Sequence, residues 1–294
     1  MKINTFLSTL LNVNLVLGGR WTQKRRETRA ANARRFPEAF APEHVPRLAS
    51  NGTARIHSSR PLSVIDVAEK AIESRNNESH TTYSANWAGA LLVGSGYTAV
   101  TGTITVPTPT GANAATQSAG AAWVGIDGGT CSQAILQTGI DWYVTNGQAT
   151  YDAWYEWYPD YSYDFSGITI NAGDSIRMTV LASATTNGAA HIENLTTGKA
   201  VSQAMTVSSA AALCETNAEW IIEDFESCDS SGNCPQVPFA NFGSVTFTQS
   251  LAVQGGTTVT PATGSGLQVL DLYQNSQVLT NCAVSGETVA CTYV

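Results

Sequence analysis

From residue 81 to its end, the sequence has almost no basic side chains: His191, Arg177 and Lys199 are the three that occur. Serine and cysteine hydrolases of the usual kind need a histidine beside the nucleophile, and His191 is more simply interpreted as a structural strand residue. The His-Glu-x-x-His pattern of zinc peptidases and the Walker lysine of nucleotide-binding loops are both missing. Most common hydrolase classes are therefore excluded, and we expect neither a metal nor another cofactor.

Charge divides the chain into two unequal parts. Residues 1–80 carry 13 of the 15 Lys and Arg and only seven acids, whereas the rest carries 16 acids. Nucleic acids and anionic membranes bind clustered Lys and Arg, so we expect neither as a partner. With so few cations, protonation of the acids leaves little charge repulsion, which predicts that the second part is most stable in acid.

A membrane-length apolar run is also missing, but the first residues have the order of a secretory signal. Lys2 is followed by a short apolar stretch from Phe6 to Leu17 and by Gly18 and Gly19. This order predicts a signal peptide over residues 1–19 and a secreted, extracellular protein.

Residues 20–80 have the character of a basic propeptide, with the cluster Lys24-Arg25-Arg26 and one helical pattern from Val64 to Arg75. A disordered basic tail is the alternative. Because this segment is positive and the rest is negative, we expect it to dock on the body as an intramolecular inhibitor at neutral pH. It should dissociate near pH 4, where the carboxylates become protonated.

From residue 81 onward, short alternating segments are separated by turn residues, and no long amphipathic helix lies between them. This pattern predicts one all-β domain over residues 81–294, an antiparallel β-sandwich of two sheets of the lectin or glucanase kind, and a monomer. The predicted strands are Ala90–Val93, Thr101–Val106, Ala121–Ile126, Ala134–Gly139, Tyr151–Tyr158, Ser175–Ala182, Ala189–Asn194, Ala218–Phe225, Gly243–Thr248, Leu267–Tyr273 and Thr288–Tyr293.

All six cysteines lie in this domain, which indicates three disulfides in an oxidising compartment. Cys282 and Cys291 flank a turn and could face each other across a hairpin, and Cys228 and Cys234 close a short loop. Cys131 and Cys214 then pair by elimination. Zinc is a poor alternative because the Cys-x-x-Cys spacing is missing.

Carboxylates, amides and aromatic side chains are the remaining catalytic groups. Carboxylates suit general acid and base catalysis at low pH, where an imidazole would stay protonated. Two-aspartate peptidases carry Asp-Thr-Gly or Asp-Ser-Gly turns, and the sequence has neither tripeptide; Asp127-Gly-Gly129 is the nearest approach. A pepsin-like enzyme is therefore not expected.

A set of motifs in the domain resembles the glutamic peptidases, the eqolisins, over roughly Tyr83 to Val294. The matching segments are Ser84-Ala-Asn-Trp-Ala-Gly89, Trp123-Val-Gly-Ile-Asp-Gly128, Ala134-Ile-Leu-Gln-Thr-Gly139, Asp141-Trp-Tyr143, Tyr151-Asp-Ala-Trp-Tyr-Glu-Trp-Tyr-Pro159, Asn217-Ala-Glu-Trp-Ile-Ile-Glu-Asp224 and Val284-Ser-Gly-Glu-Thr-Val-Ala-Cys291. The resemblance implies a secreted, acid-acting, pepstatin-insensitive endopeptidase on a β-sandwich, made as a preproprotein, that hydrolyses protein and peptide substrates.

By this resemblance, Gln137 and Glu223 are the catalytic pair. Glu223 would take a proton from a water that attacks the peptide carbonyl, and the Gln137 amide would orient that water and stabilise the oxyanion. Glu219 lies four positions from Glu223 on one predicted strand, so both should face the same side about 13 Å apart. Without the resemblance, sequence chemistry would divide the catalytic role evenly between these two acids.

The resemblance also places four residues around the pair as substrate-binding candidates: Trp123, Asp127, Asp141 and Glu156. Two other functions stay open from composition alone, a glycoside hydrolase with two carboxylates and a carbohydrate-binding sandwich. Gln137 discriminates among them, because only the peptidase needs it. Asn51, Asn77 and Asn194 begin possible N-glycosylation sites.

Overall fold

The computed structural model describes residues 47–48, 54–58, 60–65, 81–111, 117–160, 162–228 and 234–294. All of them fall within one compact unit, His44–Val294. The predicted signal peptide over residues 1–19 lies outside the described residues, as does much of segment 20–80. Nothing in the described residues forms a helix long and apolar enough to cross a membrane.

The regular elements of the described chain are β-strands, as its alternating sequence predicts, apart from one short 3-10 turn at Ser209–Ala211. The strands are β1 Arg47–Leu48, β2 Ala54–Ser58, β3 Thr81–Ser84, β4 Trp87–Val93, β5 Tyr97–Thr105, β6 Ser118–Ile126, β7 Ile135–Thr145, β8 Gln148–Tyr158, β9 Ser162–Asp164, β10 Ser175–Ala184, β11 Asn187–Asn194, β12 Lys199–Thr206, β13 Asn217–Glu223, β14 Glu226–Cys228, β15 Ser244–Gln254, β16 Thr257–Val259, β17 Leu267–Gln274, β18 Gln277–Val278, β19 Thr280–Ser285 and β20 Thr288–Tyr293.

Two large sheets form a β-sandwich. The first has nine strands, in the order β18-β17-β4-β13-β6-β7-β8-β9, with β3 added beside β17. The second has eight, in the order β12-β11-β10-β5-β15-β20-β19, with β16 beside β15. Their neighbouring strands pair antiparallel, except that β3 runs parallel to β17. The predicted antiparallel sandwich is confirmed.

The main apolar core lies between the two sheets, because every second residue of each strand points into that space. From the nine-stranded sheet it receives Leu92, Trp142 and Trp220, and from the eight-stranded sheet Ile104 and Phe247. These side chains are almost fully excluded from solvent. The other face of the nine-stranded sheet has a second buried cluster of its own, and the candidate site lies there.

The predicted strands all overlap observed ones, but the predicted propeptide helix does not begin where expected. Val64 forms an isolated antiparallel bridge with Ser84, and the backbone N–H of Ile65 donates to the Tyr83 carbonyl. The placement of Val64 in a helix is therefore wrong, because this part of the segment pairs as an extended chain with residues 83–85. Residues 66–75 of the predicted helix lie outside the described residues.

Two of the three predicted disulfides are present. Cys131 pairs with Cys214 across 83 residues, and Cys282 pairs with Cys291 across the hairpin of β19 and β20. Cys234 is also in a disulfide. Its pairing with Cys228 stays a prediction, because the side chain of Cys228 lies outside the described residues.

Candidate active site

The outer face of the nine-stranded sheet carries two rows of polar side chains that run across the strands. In one row, Glu223 on β13 is in register with Ala121 on β6, which is in register with Asp141 on β7. In the other, Glu219 pairs with Gly125, and Gly125 pairs with Gln137. The strand register thus brings residues that are far apart in sequence onto one face.

Glu223 is fully buried, and two indoles hold its carboxylate. Trp123 Nε1 donates to Oε2 at 2.8 Å, and Trp87 Nε1 donates to Oε1 at 3.3 Å. The two rings pack edge to face, with centroids 4.9 Å apart. Hydrogen bonds of this kind favour a charged carboxylate. This arrangement suits a general base.

Gln137 is also fully buried, and its amide lies against a second acid. Nε2 donates to Glu156 Oε2 at 3.1 Å, since β7 and β8 place these residues directly opposite each other. One N–H of the amide remains for another acceptor. A neutral donor in this position can stabilise an oxyanion at any pH.

The two members of the proposed pair lie in different rows of this face. Glu223 and Gln137 are separated by two strand spacings, about 9.6 Å, and by four positions along the strands, about 13 Å. Between them lie Trp123 and its cross-strand partner Gly139. A side chain at Gly139 would come within 2.4 Å of the Ala122 carbonyl oxygen and 2.5 Å of Trp123 Cβ, so glycine is required at this crossing.

Asp127 lies at the end of β6, and its contacts are local. Its two oxygens accept from the backbone N–H groups of Cys214, Glu215, Thr216 and Asn217 at 2.7–3.2 Å. Burial raises the pKa of Asp127, although the hydrogen bonds from Thr216, Glu215 and Cys214 oppose the shift. The carboxylate ties together the two loops that the Cys131–Cys214 disulfide also joins. Its role in substrate binding stays a prediction.

Asp141 lies two strands from Glu223 in the same row and accepts a hydrogen bond from the Tyr143 hydroxyl at 3.0 Å. Of the four sequence-predicted neighbours, Trp123 therefore contacts Glu223, Glu156 contacts Gln137, and Asp141 shares the row of Glu223. Asp127 contacts neither member of the pair in the interactions described.

One cluster has the composition of a metal site, since Asp127, Cys131 and Cys214 each place a ligand atom within 4.8 Å of the others. The two sulfur atoms are joined to each other. They are therefore not thiolates and do not offer the ligands that a metal would need.

Sequence reasoning missed the roles of two residues, one on this face and one just before β4. Trp87 belongs to a recognised motif, but only the pairing of β4 with β13 shows that it lies opposite Glu223. Asn86 is the second. Its side chain donates to the carbonyls of Arg60 and Pro61 at 3.1 and 3.2 Å and accepts from the backbone N–H of Ser63 at 3.0 Å.

Comparison with known proteins matches residues 85–293 to the peptidase A4 family. The chain belongs to this family of glutamic peptidases. The match covers the outer-face residues described above and decides against the glycoside hydrolase and the carbohydrate-binding sandwich.

Named relatives agree with this assignment. The chain is 44% identical to aspergillopepsin-2 of Aspergillus niger over an alignment 311 residues long, gaps included, that covers 100% of both chains. It is 51% identical to scytalidopepsin B of Scytalidium lignicola, over 74% of this chain and 81% of that one. Among solved structures, scytalido-glutamic peptidase with a transition state analog inhibitor has a TM-score of 0.66 at 51% identity, covering 71% and 98% of the two chains. The aspergilloglutamic peptidase of Aspergillus niger has a TM-score of 0.55 at 55% identity, covering 60% and 99%.

Proposed function

We propose that this A4 peptidase is a secreted acid endopeptidase in which Glu223 and Gln137 together activate a water molecule. The observation that supports this most directly is the environment of Glu223, a buried carboxylate held by two indole N–H groups on the same face as Gln137. The named relatives are peptidases, and one solved relative is in a complex with the tripeptide Ala-Ile-His. A peptide is thus the substrate class that the comparisons support.

The proposed reaction has two proton transfers. Glu223 accepts a proton from water as the water oxygen bonds to the carbonyl carbon of the scissile peptide. The carbonyl oxygen becomes an oxyanion and accepts a hydrogen bond from the N–H of Gln137 that Glu156 does not use. Protonated Glu223 then donates to the amide nitrogen as the carbon–nitrogen bond breaks, which releases an amine and a carboxylic acid. No covalent enzyme intermediate forms.

The decisive experiment measures hydrolysis of a denatured protein at pH 3–4 by the acid-processed chain. We expect Glu223→Gln to be inactive, because the carboxamide cannot accept the proton. Gln137→Ala should lose about 100- to 1000-fold in kcat, the usual effect of removing an oxyanion donor. Glu287→Gln is the control, since Glu287 is an exposed acid. Wild-type turnover in either site variant would refute the pair.

We also propose that residues 20–80 inhibit the enzyme in cis, and the contacts of Arg60 to Ile65 support this. The Leu62 N–H donates to the Gly128 carbonyl at 3.1 Å, and the Leu62 side chain packs against the outer apolar cluster that contains Trp87 and Trp123. Asn86 fixes the backbone on either side of Leu62. The segment therefore lies against the apolar cluster to which the two indoles that hold Glu223 belong.

Charge gives this inhibition a pH dependence. Arg60 Nε lies 2.8 Å from Glu226 Oε2. The pair is partly exposed, so on its own it contributes little, about 0–1 kcal/mol. The larger effect is the overall attraction between a positive segment and a negative body, which weakens as the carboxylates are protonated. We therefore expect inhibition at neutral pH and release near pH 4.

A matched pair of variants tests the inhibitory contact. A peptide of residues 20–80 is added to the processed enzyme at pH 6, and its inhibition constant is measured. Leu62→Asp should raise that constant at least about tenfold, because it places a charge against apolar side chains. Val64→Asp is the control, because Val64 is 60% exposed. Equal constants for the two variants, or equal activity of full-length and processed chains at neutral pH, would refute the proposal.

A further inference from the structure

A further acid of the outer face, Glu219, has no task in the reaction above. Glu219 on β13 is fully buried, and in the described part of the chain neither of its carboxyl oxygens has a hydrogen-bond partner. The Gln137 Oε1 atom is also buried and without a partner. A buried polar atom normally has a partner, so three such atoms on one face need a common explanation.

The strand register places these atoms in one row. Glu219 is opposite Gly125, and Gly125 is opposite Gln137, so the two polar residues lie about 9.6 Å apart at Cα, two strand spacings. Gly125 has no side chain to separate them. A Cβ built on Gly125 would lie 3.2 Å from Glu219 Oε2 and 2.8 Å from Trp123 Cζ3. The Glu219 carboxyl therefore lies over Gly125, in the direction of Gln137.

The surroundings of Glu219 require that its carboxyl is neutral. A buried carboxylate without a donor is strongly disfavoured. Burial raises the pKa of Glu219 well above its usual range, and the negative charge of Asp127 adds to the shift. The other ionisable groups nearby are Glu156, beyond Gln137 on β8, Glu223, on the same strand, and Tyr97 of the opposite sheet. A neutral carboxyl has one O–H donor, and the unpartnered acceptor in its row is Gln137 Oε1.

We propose that Glu219 is a positioning residue for Gln137, donating a hydrogen bond from its neutral carboxyl to Gln137 Oε1, directly or through one water. This inference rests on the proposed catalytic pair. The Gln137 amide then lies between two acids of opposite character, a donor at its oxygen and the Glu156 acceptor at its nitrogen. Such a pair of partners permits one orientation of the amide and keeps its second N–H directed at the substrate.

Two substitutions separate this positioning role from a purely structural one. For each variant, kcat, KM and the pH profile of the acid-processed chain are measured. Glu219→Gln keeps a neutral N–H donor, so kcat should stay within about threefold of wild type. Glu219→Leu has similar volume and no donor. It should lower kcat about 10- to 100-fold, the effect of a misplaced catalytic group, with KM nearly unchanged. Glu215→Gln, which removes a partly exposed acid nearby, is the control.

The pH profile gives a second criterion. Because Glu219 stays neutral in this proposal, Glu219→Gln should retain both limbs of the wild-type profile. Wild-type kcat in Glu219→Leu overturns the inference, and so does a Glu219→Gln variant that loses a limb or loses as much kcat as the leucine variant. If Glu219→Leu fails to fold, the glutamine variant decides by the same two readouts.

Glu223→Gln is measured alongside to keep the two proposals distinguishable. Activity in Glu223→Gln would refute the catalytic pair itself. An inactive Glu223→Gln together with a fully active, folded Glu219→Leu would refute only the positioning role.

Discussion

The two faces of the nine-stranded sheet are built from the same strands but carry different kinds of side chain. On β13, Ala218, Trp220 and Ile222 enter the apolar core between the sheets, whereas Glu219 and Glu223 lie on the outer face. Both faces are buried. Burial alone therefore does not distinguish core from site in this protein. The distinguishing property is what buried polar atoms contact, and each face should respond differently to substitution.

The largest expected effect is on the inner face. Trp220 is fully buried, and its Nε1 donates to the Thr101 carbonyl at 2.8 Å. Trp220→Ala should reduce the free energy of unfolding by about 3–5 kcal/mol, since it removes a large core side chain. Chemical denaturation at pH 4 measures this, with Leu195→Ala as a control because Leu195 is an exposed apolar residue of the same domain. A loss below about 1 kcal/mol would contradict the assignment of this face as the core.

Consecutive acids at the end of β13 sharpen the comparison. Glu223 has two indole donors, whereas Asp224 accepts from Gln274 Nε2 at 2.7 Å. Burial raises the pKa of Asp224 to about 7, and the nearby Glu226 charge adds to the shift. The folded state thus holds this proton more tightly than the unfolded state, so stability is lost as pH rises from about 4 to 7.

The corresponding variant tests this pH dependence. At about 1.36 kcal/mol per pKa unit, the loss is at most on the order of 4 kcal/mol. Asp224→Asn should have a wild-type melting temperature near pH 3.5 and a higher one at pH 7. Glu287→Gln controls for the general removal of charge. If Asp224→Asn melts in parallel with wild type across this range, Asp224 is not a source of the pH dependence.

Substitution of an outer-face tryptophan should lower the rate of catalysis more than the stability of the fold. Trp123→Phe removes the indole donor to Glu223 and keeps most of the ring. A hydrogen bond to a charged group contributes about 1.5–3 kcal/mol, so kcat should fall about 10- to 100-fold. Trp220→Phe is the matched inner-face variant and should lower stability with little change in kcat. The reverse pattern would show that the two faces have been assigned the wrong way round.

The last and smallest prediction concerns a possible glycosylation site, Asn194, in the eight-stranded sheet. Asn194 is fully buried, and its Nδ2 donates to the Thr169 carbonyl and to Asp174 Oδ2 at 3.1 and 2.8 Å. Its Oδ1 accepts from the N–H groups of Thr196 and Thr197. A glycan on Nδ2 is incompatible with these contacts. We expect the peptide that contains Asn194 to have its unmodified mass in protein produced by a eukaryotic host that glycosylates, and an attached glycan would contradict this.

Alternation in the sequence predicted the strands and their two-faced character because the side-chain period of two is local. It also predicted the Cys282–Cys291 hairpin. Strand order is not local. That β6 lies between β13 and β7 is what sets Glu219, Gly125 and Gln137 in one row, and no sequence pattern shows it.

The remaining errors have the same origin. Val64 fits a helical period. The segment around it is nevertheless extended, because it forms hydrogen bonds with the Asn86 side chain and with the backbone of residues 83–85. Propensity is overridden by a partner that is distant in sequence. Trp87 was missed for a related reason, since its contact with Glu223 depends on the pairing of β4 with β13.

The parallel pairing of β3 with β17 also bears on the proposed removal of residues 20–80. Thr81 to Ser84 are held in register with Val269 to Leu272, so the beginning of the domain is secured by the sheet itself. A cut between residues 65 and 81 would separate the proposed propeptide from the domain and leave β3 paired with β17. The domain would keep the same first strand after any such cut, so its fold should not depend on which bond in that interval was hydrolysed.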